Sequence, residues 1–304
     1  MIDPQRAPIS VIIGLVSTED RDRILETLDS LANRQGDLSC EVVLADRRQD
    51  DISREIVRRY PEVRFVPCGP DMPLPEMRTL AFEASTAPIV AVTEDHCVPA
   101  SGWLQQIVEG LRLPEIVAVG GCVDNGVSDT PFDWATFLCE YSAFYPPVAE
   151  GRANILPGMN VAYRRAALLA VPRERLTTGF WETTVHPILL EQGGRFVSLN
   201  AMKMNHCKRF SFGLFARQRY VYSRYYAGIR FPEADGARRY AAALLTLALP
   251  PLLLVRMYRA ALAKRLQKPF RLAFPSLFLL VIVWSFGEMV GYLAGPGRAL
   301  AEIE

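Results

Sequence analysis

Short apolar runs bounded by polar or turn residues recur along the first part of the chain. Ile9–Gly14, Glu41–Ala45, Val63–Val66, Ile89–Val92 and Ile116–Gly120 are the clearest. Runs of this length and composition predict strands, with Ile9–Gly14 read as buried on both faces of a sheet and Ile89–Val92 and Ile116–Gly120 as buried. Between them the apolar period lengthens. Ile24, Leu28 and Leu31 fall at helical spacing, with Ser17 or Thr18 as the expected cap and Gly36 as the stop. A second helix is predicted from about Ile52 to Tyr60. Strand, helix, strand, helix, strand implies an α/β fold with a parallel sheet and right-handed crossovers.

The stretch from Pro88 to Leu104 is the sharpest change of character. An apolar strand runs into Glu94-Asp95-His96, Pro99 and Gly102 break the pattern, and Trp103-Leu104 open a helix. Open α/β sheets bind ligands at the carboxyl ends of their strands. Alternation along a strand predicts that Glu94 and His96 share a face and that Asp95 points the other way. A carboxylate and an imidazole on one face can hold a divalent cation. The six cysteines are scattered and read as small buried residues of a reducing compartment. The pairs His96-Cys97 and His206-Cys207 raise the alternative of a four-ligand zinc site. It is disfavoured, because neighbours in a strand face opposite ways.

No Gly-x-Gly-x-x-Gly follows the first strand and no Walker A motif is present, which argues against a dinucleotide-binding or P-loop site. Pro67, Pro70, Pro73 and Pro75 predict a stiff loop. Residues 131–145 are aromatic, and are read as core before a ligand wall. A helix is predicted from Glu182 to Glu191, with His186 as a packing residue.

These segments together resemble family 2 glycosyltransferases, which have the GT-A fold. Their hydrophobic strand, acidic triplet, proline and Gly-Trp-Leu correspond to residues 89–104, with Glu94-Asp95-His96 in place of the triplet. The resemblance covers about residues 8–230. It implies that Asp46, ending the second strand, contacts the nucleotide base. It implies that Arg78 approaches the nucleotide and that Asp95 takes part in donor binding. Leu156-Pro-Gly-Met-Asn-Val-Ala-Tyr-Arg-Arg165 resembles the family's Gly-x-Asn segment, in which Asn160 would meet a sugar. Trp181-Glu182 resembles the segment carrying the catalytic base, so Glu182 is the base, with Thr183 where a second acid is usual. His206 resembles a histidine that completes the metal or diphosphate site. Glu94, His96 and His206 would then hold Mn²⁺ or Mg²⁺, with Mn²⁺ more tolerant of the mixed set. Gln218 and Arg219 loosely resemble a further family motif that faces donor phosphate or lipid head groups.

Charge separates the two ends of the chain. From Lys208 onward there are 15 basic and five acidic residues, against 19 and 28 before it. Two apolar stretches follow, Tyr240–Val255 and Leu272–Gly297. The first, at 16 residues and with Pro250-Pro251, is short for a span. The loop between them is basic and lacks acid. If both stretches crossed, that loop would lie across the membrane from the catalytic domain, against the positive-inside rule. The expectation is therefore a first stretch that dips into the cytosolic leaflet and returns and a second that spans, with two interfacial helices as the alternative. No leader is read at the amino terminus, which puts the catalytic part in the cytoplasm. The predicted organisation is a GT-A catalytic domain over 1–207, a basic aromatic interfacial region over 208–239 and membrane-associated helices over 240–304.

The expected function is inverting transfer of a sugar from a nucleotide-diphosphate sugar, taken to be a UDP-sugar, to a lipid or polysaccharide acceptor at the membrane. Nucleic acid is not an expected partner. A nucleotidyltransferase on a similar sheet and a non-catalytic sugar-nucleotide binding module are the competing readings.

Overall fold

The computed structural model describes residues 8–231 and 236–304. The reading of the extreme amino terminus as leaderless lies outside them. The chain forms two compact units, one of residues 1–126 with 144–208, the other of residues 127–143 with 209–304. Residues 127–143 group with residues 209–304 in the second of these units.

The first unit opens with β1 (Ile9–Leu15), α1 (Arg23–Asn33), β2 (Glu41–Asp46), α2 (Asp51–Arg59), β3 (Arg64–Pro67) and α3 (Leu74–Ala84). It continues with β4 (Ile89–Glu94), β5 (Cys97–Pro99), α4 (Trp103–Gly110) and β6 (Ile116–Asn125). After α5 (Pro131–Tyr141), which lies in the second unit, come β7 (Gly151–Ala153), β8 (Val161–Arg164), α6 (Arg165–Leu169), α7 (Arg173–Gly179), α8 (Glu182–Glu191) and β9 (Arg195–His206).

Among the described residues these strands make one sheet in the order β3-β2-β1-β4-β8-β6-β9-β5, with β7 also on β9. The β3-β2-β1-β4 half is parallel, as the crossovers require. The other half is mixed, because β8 runs antiparallel to both β4 and β6. β1 is buried along its whole length, in keeping with a sequence that is apolar apart from Ser10. Ile12, Val43, Val90, Val92, Ala118 and Val161 pack against Met77, Phe82, Phe180 and Val185 from α3 and the α7–α8 region.

Two local expectations change. The cap of α1 is Asp22, not Ser17 or Thr18, and Ser17 is used elsewhere. The acidic triplet does not lie along one strand. β4 stops at Glu94, residues 95 and 96 form a turn, and Cys97 starts β5, which pairs antiparallel with β9.

In the second unit, α5 is started by a reciprocal cap between Thr130 and Asp133 and shows its aromatic residues as packing groups. It is followed by α9 (Phe212–Arg230), α10 (Gly236–Leu245), α11 (Leu249–Ala263) and α12 (Gln267–Ala294). α9 and α12 approach closely at two glycines one turn apart. A Cβ at Gly287 would meet the Tyr220 carbonyl oxygen at 2.6 Å, and one at Gly291 the Arg224 carbonyl oxygen at 2.4 Å.

The first apolar stretch is longer than expected. Helix runs from Gly236 to Ala263, 28 residues, with one 3₁₀ turn at Thr246–Ala248. Pro250 and Pro251 sit in the first turn of α11, where their missing N–H groups cost nothing. Flanking arginines join the helix ends and extend the short apolar run. By length and composition both Gly236–Ala263 and Gln267–Ala294 are able to cross a membrane.

Candidate active site

Parallel pairing aligns the carboxyl ends of three strands. Leu15 stands opposite Asp46, and Gly14 opposite Glu94. Asp46 and the Glu94–His96 turn therefore share one edge of the sheet, as open α/β sheets demand of a ligand site.

Four potential metal ligands converge there. One donor atom from each of Glu94, His96, Cys97 and His206 lies within 4.8 Å of all the others. His96 Nε2 is 3.2 Å from His206 Nε2 and 3.3 Å from Glu94 Oε2. The Cys97 thiol is 3.9 Å from the same Glu94 oxygen. His206 closes β9 and is opposite Cys97 in the β5–β9 ladder, so strand pairing brings it in from a distance of 109 residues in sequence. The alternation argument against His96 and Cys97 sharing an ion fails here. It holds within a strand, whereas His96 lies in the turn and Cys97 begins the next strand.

Asp95 is clamped. Its carboxylate accepts from the Val16 and Ser17 amides at 2.9 and 2.8 Å, from the Ser17 hydroxyl, and from His96 Nδ1 at 2.9 Å. Lys208 donates to the Ser17 hydroxyl from a buried position. Asp95 thus joins the end of β1 to the turn and orients the His96 ring, which leaves its carboxylate engaged within the protein.

The electrostatics follow from the same contacts. Burial opposes ionisation of Glu94, but the His96 hydrogen bond and the Arg78 charge outweigh it and hold its pKa down to about 2. Burial likewise opposes charge on Asp95, and its hydrogen bonds from His96 and Ser17 overcome that, giving a carboxyl well below the usual range. For His96, burial disfavours the charged ring, while Asp95 and Glu94 raise its pKa on balance. His206 is pushed down to about 3, by burial first and by His96 second. Burial pushes the Cys97 thiol well above its ordinary range.

Arg78 connects this cluster to the predicted base. It is buried on α3, donating from Nη2 to Glu94 Oε1 at 3.2 Å and from Nη1 to the Phe180 carbonyl at 3.2 Å. Two residues beyond that carbonyl, Glu182 opens α8, where the positive end of the helix dipole favours a carboxylate. Glu182 is half-buried and lies directly over the backbone of Gly158. A Cβ at Gly158 would stand 2.3 Å from Glu182 Oε2, so the glycine leaves room for the carboxylate.

The other predicted residues are distributed differently. Asp46 is buried at the strand end and accepts from the Arg48 and Gln49 amides, both at Oδ1. Asn160 is fully buried and its amide is consumed internally. It accepts from the Trp103 indole and donates to the Cys122 and Met202 carbonyls. A sugar contact by Asn160 is thereby replaced by a role in holding three segments together. Gln218 and Arg219 lie in the second unit. Gln218 bonds the backbone of Glu302 and Glu304, and Arg219 pairs with Glu140 among the rings of Phe215, Tyr222 and Trp284. His186 packs as expected, with Tyr163 on Nε2 at 2.9 Å. Sequence reasoning missed Cys97, Ser17 and Lys208. The His-Cys neighbourhood was a signal for the first, and nothing marked the other two.

The donor set of two imidazoles, a carboxylate and a thiol fits a divalent cation. Comparison with known proteins bears on the fold and the family. Residues 10–171 match the family described as glycosyl transferase family 2. No curated protein sequence matches the chain. The structure is similar to a mannosyltransferase, PcManGT from Pyrobaculum calidifontis, solved in complex with GDP-Man and Mn²⁺. That similarity has a TM-score of 0.58 at 19% identity, over 96% of this chain and 88% of the other. It is also similar to GalNAc-T7 solved with UDP, GalNAc and Mn²⁺, with a TM-score of 0.54 at 13% identity, over 76% of this chain and 53% of that one.

Proposed function

Because the chain belongs to glycosyl transferase family 2 and is a glycosyltransferase of GT-A fold, we propose that it transfers a sugar from a nucleoside-diphosphate sugar, with inversion, to a lipid or polysaccharide acceptor. The observation that carries this reading is the double contact of Arg78, which ties Glu94 of the cation cluster to the segment that presents Glu182. A leaving-group site and a base must be held at a fixed separation for in-line displacement, and one buried guanidinium supports both.

In this reading Glu94, His96 and His206 hold a divalent cation. When bound, the cation neutralises charge on the departing diphosphate. Asp46, at the same sheet edge, recognises the nucleotide. Glu182 accepts the proton of the acceptor hydroxyl as its oxygen attacks the anomeric carbon from the face opposite the diphosphate. The bond to the diphosphate breaks as the new glycosidic bond forms, and the configuration inverts. The apolar helices of the second unit support a reading in which acceptor and enzyme meet at a membrane; the catalytic domain is proposed to face the cytoplasm.

A UDP-sugar is the proposed donor, and GDP-mannose is the first competitor to include. Purified protein with each donor, an acceptor lipid extract and a divalent cation should release nucleoside diphosphate and give a glycoside of inverted configuration by NMR. Release of pyrophosphate would identify a nucleotidyltransferase instead. Donor binding without turnover across donors and acceptors would leave a binding module.

A further inference from the structure

We propose that Cys97 is a fourth ligand to the cation, and that the site is built for a zinc-type ion rather than for Mg²⁺. This rests on the reading that a divalent cation occupies the Glu94–His96–His206 cluster, and extends it to the identity of the ion and to a residue outside the resembling motif.

The first argument is geometric. A tetrahedron with metal–ligand bonds of about 2.0–2.3 Å has edges of roughly 3.3–3.8 Å. The separations here are 3.2 Å between the two imidazole nitrogens, 3.3 Å between Glu94 Oε2 and His96 Nε2, and 3.9 Å between the Cys97 sulfur and Glu94 Oε2. One donor atom from each of the four residues falls within 4.8 Å of the other three, so the longest separations need only a small contraction to reach the tetrahedral edge. Mg²⁺ instead requires near-octahedral oxygen at about 2.1 Å. Here only one of the four donors is oxygen.

The second argument is the support around the ligands. Metal-bound histidines commonly donate their other ring N–H to a carboxylate, which fixes the tautomer and aims the free lone pair. His96 Nδ1 does this to Asp95 at 2.9 Å, so Nε2 is the atom facing His206. Asp95 is itself held by two backbone amides and by Ser17. Two imidazole nitrogens and a thiolate suit zinc, cobalt and similar ions, whereas carboxylates and water suit Mg²⁺ and Mn²⁺. On binding, the Cys97 thiol gives its proton to solvent and the thiolate takes the ion. A four-ligand ion that expands to five positions can still receive a diphosphate oxygen.

The test uses the full-length protein in detergent, stripped with a chelator and titrated with Co²⁺. The expected result is one Co²⁺ per chain, with the intense visible bands of tetrahedral cobalt and a thiolate-to-cobalt charge-transfer band in the near ultraviolet. Cys97→Ser should abolish the charge-transfer band and weaken Co²⁺ binding by about tenfold or more. Cys207→Ser should keep the band. Co²⁺ bound without charge transfer in the unmodified protein would overturn the role of Cys97 while leaving the cation reading intact. A band that survives Cys97→Ser would also overturn it. Failure to bind Co²⁺, Zn²⁺ or Mn²⁺ at all would overturn both. The spectrum of the unmodified protein decides the matter even where a variant folds poorly.

Discussion

The Asp95 carboxylate accepts a hydrogen bond from His96 Nδ1 at 2.9 Å, and on the far side of the same ring Nε2 stands 3.2 Å from His206 Nε2. One acid thus sets the direction of the ring that meets the cation. Asp95→Asn retains the shape and removes the charge. Metal affinity, read by titration of chelator-stripped protein, is expected to fall about 10–100-fold. Unchanged affinity would reduce Asp95 to a backbone clamp for Val16 and Ser17.

Glu182 is tested by Glu182→Gln. Transfer is expected to fall roughly 10²–10⁴-fold, the usual scale for a positioned base. Donor affinity should hold, because the carboxylate serves the acceptor. Turnover assays paired with donor titrations check this. Near-normal turnover excludes the assignment, and loss of donor binding would move Glu182 to the donor site.

Arg78 donates both to Glu94 at the end of β4 and to the Phe180 carbonyl just before α8. Arg78→Met would remove the Arg78 contact from Glu94 Oε1, leaving His96 on Oε2, and free the Phe180 carbonyl. A loss of stability of about 1–3 kcal/mol is expected, since the buried Phe180 carbonyl is left without its donor and Glu94 keeps His96 but loses the guanidinium. Lysine at this position keeps the charge but cannot make both contacts, so it should rescue stability more than activity. Thermal unfolding and turnover of both variants separate the two effects.

The α9–α12 contact depends on glycine at 291. Gly291→Leu would drive a side chain into the Arg224 carbonyl and Ala227. The helices must part, and purified yield and Tm in detergent should drop. A control change at exposed Leu293 should be silent. If Gly291→Leu has a native Tm, the close approach is dispensable.

His186 makes stability sensitive to acid. Burial lowers its pKa from 6.5 to about 3. The unfolded chain therefore binds a proton below about pH 6.5 that the folded chain refuses until about pH 3. Stability is expected to decline as pH falls through that window, by about 1–3 kcal/mol at pH 4.5 from this group. His186→Gln keeps a partner for Tyr163 and should flatten this part of the profile in denaturant titrations. An equally steep profile in the variant would assign the acid sensitivity to other groups.

Much of the fold was legible because it is local or periodic. The strands of the parallel half, the Glu182–Glu191 helix and the charge break near Lys208 all follow from patterns within a few residues. The acidic motif at a strand end also carried through. Asn160 misled, because a polar residue in a glycine-rich segment can serve a ligand or the interior, and only the carbonyls of Cys122 and Met202 show which. Residues 127–143 could not be assigned to the second unit from their aromatic composition, since packing partners are a matter of distance in space.

The sequence by itself determined that a carboxylate and an imidazole would stand together at the carboxyl end of a buried strand, and that the apolar tail would be helical. Those properties depend on hydrophobic period and on chemistry carried by adjacent residues. Tertiary structure alone decided that a turn, not a strand, separates Glu94 from Cys97, and that β9 returns to set His206 opposite Cys97. It alone decided that Arg78 would bridge Glu94 and the segment before Glu182. Each of these joins residues far apart in the chain or reverses a strand's facing rule. The reason is physical: side-chain direction after a turn and the pairing of distant strands are fixed by the packing of the whole sheet.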